Sequence, residues 1–152
     1  MNLLSNVVKK PGEKVAVSNA ASCVLDASAL LVYLHGEPGV EKVADALEQS
    51  ACMSAVNWAE VLSWFAERGQ DPREVGLTLT EKSLLGGLLE ILPMTEQDSL
   101  IVAQLRPLTK TYGLSLGDRV CLSLGLRLNL PVFTADRAWS AINVGLAVQM
   151  VR

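Results

Sequence analysis

The chain has 152 residues, half of them apolar, enough for one domain with an ordinary core. Charged residues make up 19% and aromatics 5%, which excludes a disordered tail and an aromatic platform for stacking bare bases. The net charge of −3 argues by itself against a nucleic-acid partner, and the longest apolar run, residues 29–34, has six residues where a membrane helix needs about 20.

Residues 1–21 carry Lys9, Lys10, Glu13 and Lys14 with no apolar stretch of a secretory signal after them, and are expected to form a weakly structured arm before a domain at 22–152. From there, short apolar runs alternate with longer helical patterns, the signature of an α/β chain with a parallel sheet. Residues 22–25 predict a strand ending at Asp26, and 27–34, apolar except for Ser28, predict a buried helix. Pro38 opens a second helix in which Val40, Val43, Ala44 and Leu47 recur at helical spacing. Residues 52–54 predict a second strand. The helix after it, running to about Arg68, sets a polar stripe of Asn57, Glu60, Ser63 and Glu67 against Val56, Ala59, Leu62 and Phe65.

Asp71-Pro72-Arg73-Glu74 is a helix start: a capping aspartate, a proline at the first position and a glutamate at the third. Gly86-Gly87 is expected to end that helix, and 88–92 to form a third strand closed by Pro93. Thr95 begins another helix, kinked at Pro107 and ended by Gly113. Ser115 begins the next, to about Leu128, before a fourth strand at 131–133 that leads into Thr134-Ala135-Asp136. Residues 146–151 read as an edge strand. Cys23, Cys52 and Cys121, an odd number in apolar settings without zinc-type spacing, read as reduced core thiols of a cytoplasmic protein.

Charge is distributed unevenly. Residues 1–36 sum to +1, 37–98 to −8 and 101–152 to +4, and the last block keeps only two acids, Asp118 and Asp136. Ligands of an open parallel sheet bind beyond the carboxyl ends of its strands, where Asp26 and Asp136 fall. Asp118 opens the helix before the fourth strand and Glu60 lies in the helix after the second, so all four can converge on one rim. Two carboxylates about 4 Å apart repel by ~4 kcal/mol at an effective dielectric near 20, so such a group must protonate or take a cation. All-oxygen donors select Mg²⁺ or Mn²⁺. Each acid alone also fits a simpler role: Asp26 and Asp136 as helix caps, Asp118 in a capping box with Ser115, Glu60 on a solvated stripe.

Taken together, Val24-Leu25-Asp26-Ala27-Ser28, Asn57-Trp58-Ala59-Glu60-Val61, Leu114-Ser115-Leu116-Gly117-Asp118-Arg119 and Phe133-Thr134-Ala135-Asp136-Arg137-Ala138-Trp139 resemble the PIN-domain ribonucleases, above all the VapC toxins of type II VapBC toxin–antitoxin pairs. The resemblance covers about residues 22–151. The four acids stand in family order, at intervals of 34, 58 and 18 residues. It implies a three-layer α/β/α sandwich around a central, mostly parallel sheet of four to five strands. It also implies Mg²⁺- or Mn²⁺-dependent hydrolysis of RNA, a homodimer, and a small antitoxin that occludes the acidic pocket. Carried over by position, Asp26, Glu60, Asp118 and Asp136 are the catalytic, metal-binding acids, with Thr134 and Ser28 in support. On that reading Asp26 and Asp118 hold the principal ion, and Glu60 and Asp136 complete its shell or hold a second. RNA phosphates are expected along Arg119 and Arg137.

The single histidine, His35, lies in a Gly/Pro turn without a nucleophile signature, and reads as a loop residue instead of a catalytic base. Glycine-rich phosphate loops are absent, which excludes ordinary dinucleotide and P-loop NTPase readings. Trp58, Trp64 and Phe65 suit core or dimer packing. The rival function is a catalytically degenerate PIN-like module acting through protein or RNA contacts. A phosphoacceptor receiver lacks its paired early acids and late lysine.

Overall fold

The structure of the protein, a computed structural model, describes residues 21–152; the expected arm, apart from Ala21, lies outside the described residues. Five strands form one parallel sheet in the order β3-β2-β1-β4-β5: β1 Cys23–Leu25, β2 Ala51–Ser54, β3 Leu89–Leu92, β4 Val132–Thr134 and β5 Val148–Met150. Helices α1 (Ala27–His35), α2 (Val40–Glu48), α3 (Ala55–Glu67), α4 (Pro72–Glu81), α5 (Glu96–Thr109) and α6 (Leu116–Leu128) complete the chain. The expected sandwich is what the chain forms.

Strand residues alternate between two cores, as period-2 geometry requires. Cys23, Leu25, Ala51 and Met53 enter a core shared with residues of α1 to α4, while Val24, Cys52 and Val132 enter one shared with residues of α5 and α6. All three cysteines are buried free thiols. Among the described residues no helix is long and apolar enough to cross a membrane.

Most helix ends follow the expected chemistry. Asp71 caps α4 with Pro72 in its first turn, Thr95 and Ser115 each open a capping box, and Gly113 is left-handed at φ 70. The end of α4 differs from expectation. It stops at Glu81, before Gly86-Gly87, because Ser83 turns left-handed at φ 62 and Leu84 N–H donates to Leu79 O at 3.0 Å. Ser83 thus takes the left-handed place expected of glycine, and the closure leaves Leu79 and Leu84 buried in the same core.

The switch in strand order falls at β1 and β4, since the chain adds β2 and β3 on one side of β1 and β4 and β5 on the other. Backbone pairing extends past the strand ends: Asp26 N–H donates to Phe133 O at 3.1 Å, which brings the segment after β1 alongside Thr134. This is where such sheets place ligands.

Candidate functional site

Asp26 is the deepest of the four acids, 4% exposed. It caps α1, with Oδ1 accepting from Ala29 N–H at 2.8 Å, and it accepts the Ser28 hydroxyl at 2.7 Å and the Thr134 hydroxyl, on Oδ2, at 2.5 Å. The two hydroxyls also accept: Ser28 Oγ takes Ala135 N–H at 2.9 Å and Thr134 Oγ1 takes Asp136 N–H at 3.0 Å. Each therefore joins the Asp26 carboxylate to the backbone leaving β4. Burial pushes the Asp26 carboxyl up to about 6; hydrogen bonds from Thr134, Ala29 and Ser28 oppose the rise and the charge of Asp118 adds to it.

The other acids surround this floor at shallower depth. Asp118, half-buried, sits at the third position of α6, and its Oδ2 accepts Ser115 N–H at 2.8 Å. Burial raises its pKa, and the charge of Asp136 raises it further against the Ser115 hydrogen bonds. Asp136 is exposed and caps the short 3₁₀ turn Arg137–Trp139 through Ala138 N–H at 3.0 Å. Glu60 is exposed on α3, its Oε2 accepting from Asn57 Nδ2 at 3.0 Å. Cys121, one turn beyond Asp118, is pushed well up by burial, and the charges of Asp26, Asp118 and Glu60 all contribute. The acids are thus electrostatic neighbours, but they do not form a closed cage. Among the described residues no three Asp, Glu, His or Cys side chains stand in a geometry that would hold a metal ion. Each carboxylate instead takes the donor nearest to it, so the capping roles open to Asp26, Asp118 and Asp136 singly are all realised.

The donor set nevertheless fits a hard divalent cation. It is all oxygen, it confines a buried aspartate beside a second one, and it includes a cradle without a side chain: a Cβ on Gly117 would collide with the Glu60 carboxylate.

Four expectations change. On the polar stripe of α3, Asn57 is buried, 1% exposed, because it faces the start of α6, where Nδ2 donates to Gly117 O at 3.0 Å. The positive C-terminal third is partly cancelled: Arg127 pairs with Asp98 at 2.9 Å and Arg152 with Glu37 at 2.7 Å. Of the two arginines expected on RNA, Arg119 turns inward, Nη1 donating to Val102 O at 3.0 Å with Nε buried and without a partner among the described residues. Arg137 remains exposed beside Asp136. His35 is the last residue of α1, its ring centroid 4.3 Å from that of Trp64 in a tilted contact at the end opposite Asp26, and so belongs to the helix and not to a loop. Asn57 and Gly117 were not legible as site residues, since a stripe position and a helical glycine each have commoner explanations.

The PIN domain family matches residues 23–144. FitAcB from Neisseria gonorrhoeae superposes with a TM-score of 0.65 at 27% identity over 85% of this chain and 97% of that one. A toxin–antitoxin complex from Klebsiella pneumoniae gives 0.63 at 18% over 86% and 98%. DNA-bound VapBC from Salmonella typhimurium gives 0.64 at 16% over 88% and 100%. No curated protein matches the chain.

Proposed function

This chain belongs to the PIN domain family, and from that premise we propose that it is the endoribonuclease toxin of a VapBC-like toxin–antitoxin pair, hydrolysing RNA phosphodiester bonds in the cytoplasm with Mg²⁺ or Mn²⁺. The observation that carries the reading is Asp26, buried at the switch point with its charge beside that of Asp118 and, among the described residues, no cationic side chain hydrogen-bonded to it. Asp26 and Asp118 would hold the cation, with Glu60 and Asp136 completing its shell. Such an ion lowers the pKa of a water and offsets charge building on phosphate.

The chain's own residues supply the rest. Thr134 and Ser28 spend both their protons on Asp26, which fixes the orientation of the carboxylate and favours its ionised form. The exposed Asp136 and Glu60 leave the rim open to a polymer. Arg137, next to Asp136, is the cation best placed for a phosphate on that rim. The antitoxin belongs to the same reading, supported by the likeness to toxin–antitoxin complexes, and the homodimer is part of the proposal through the family resemblance alone.

The test is sequencing of RNA 5′ ends after brief expression of the wild type and of Asp26→Asn. Water as nucleophile leaves 5′-phosphate and 3′-hydroxyl ends, made by the wild type only and abolished by EDTA. A 2′,3′-cyclic phosphate product, or full activity in excess EDTA, would rule the scheme out. The acids' local capping favours one rival, the degenerate binding module, which requires Asp26→Asn and the wild type to behave alike.

A further inference from the structure

We infer that Asn57 and Gly117 are positioning residues that hold the Glu60 carboxylate in the acidic rim, an inference that rests on the metal reading above. Among the described residues, Glu60 is the one acid of the four that no backbone N–H fixes; its hydrogen bond comes from the side chain of Asn57. The amide of Asn57 has one workable orientation. Glu60 Oε2 and Gly117 O, each 3.0 Å away, can only accept, so Nδ2 must face both. One NH₂ group therefore ties α3 to the first turn of α6, one residue before Asp118. Asn57 is buried with its Oδ1 unpartnered among the described residues, so the side chain keeps this place at the cost of an unmet acceptor.

Gly117 completes the arrangement from the other side. It lies in the first turn of α6 with an ordinary helical backbone, so conformational freedom does not call for glycine there. Space does: a Cβ would clash with Glu60 Oε1. Alanine at this site is good for the helix and displaces only the far end of a flexible side chain, so Gly117→Ala separates position from stability.

The probe is Mn²⁺ alone, titrated into the full chain and followed by the EPR signal of the free ion, with urea denaturation of every variant alongside. Asn57→Leu and Gly117→Ala are each expected to weaken Mn²⁺ binding by about 10- to 100-fold, the usual effect of groups that orient a ligand. In a Glu60→Gln background neither should weaken it further, because both act through the carboxylate already removed. If Asn57→Leu does not fold, Gly117→Ala carries the test. Unchanged affinity in a folded Gly117→Ala variant, or losses that persist in full in the Glu60→Gln background, would overturn the inference. Failure of the wild type to bind Mn²⁺ would overturn the metal reading itself.

Discussion

Helices α5 and α6 begin with the same device, a hydroxyl residue followed three positions later by an aspartate that closes a capping box, yet the two aspartates end in opposite states. Asp98 is 1% exposed and meets Arg127, which donates Nε and Nη2 to its two oxygens at 2.9 and 3.3 Å. Burial raises its pKa, but the hydrogen bonds and charge of Arg127, with those from Thr95, outweigh that and hold the carboxyl below its usual range. Asp118 meets Asp26 and Asp136 instead, and both it and Asp26 are pushed up. Local capping chemistry is thus indifferent to function. What distinguishes the rim is that, among the described residues, the fold sets an arginine beside Asp98 and further carboxylates beside Asp118.

The largest effect expected from breaking this contrast is on cleavage. Asp26→Asn should reduce RNA hydrolysis by roughly 1,000-fold, the scale seen when a preorganised electrostatic group is lost, while Asp98→Asn should leave the rate per folded molecule unchanged. Stability should respond the other way. Asp98→Asn strands a partly buried Arg127 and should cost about 2–4 kcal/mol by urea denaturation at pH 7.5. Asp26→Asn, which removes a charge held at high energy, should stabilise the fold by about 2 kcal/mol, the worth of its raised pKa less one hydrogen bond.

A pH series sharpens the same point. Because Asp26 titrates at about 6 in the folded chain and near 3.8 unfolded, its contribution to stability is full below about pH 4 and lost as pH rises through 6. Wild type minus Asp26→Asn, followed by denaturation between pH 4 and 8, should show that loss, and Mn²⁺ affinity should rise over the same interval as the carboxylate ionises. The smallest effect concerns RNA. Arg137→Ala should lower the slope of log affinity against log salt by about 1, and Arg119→Ala, whose guanidinium is committed to Val102 O, by less.

Much of this was legible in the chain because its signals are local or periodic. The short apolar run of 22–25, the Asp71-Pro72 start and the strand-end position of Asp26 each follow from residues adjacent in sequence. What escaped depends on partners far apart. Ser83 ends α4 because Leu84 finds Leu79 in the core; Asn57 is buried because α6 packs on its face of α3. Arg127 and Arg152 have their charge offset by acids 29 and 115 residues away, so a block sum of +4 overstated the positive flank. The four acids could be chosen by order and spacing, but whether their oxygens close around an ion depends on rotamers that spacing does not encode.

That closure is the central claim, and anomalous diffraction from crystals soaked in Mn²⁺ measures it most directly. The account predicts a manganese peak bound by carboxylate oxygens of both Asp26 and Asp118, with Glu60 turned toward it and no peak at the Asp98–Arg127 pair. Manganese found only at sites remote from these aspartates, in crystals where both are ordered, would contradict it.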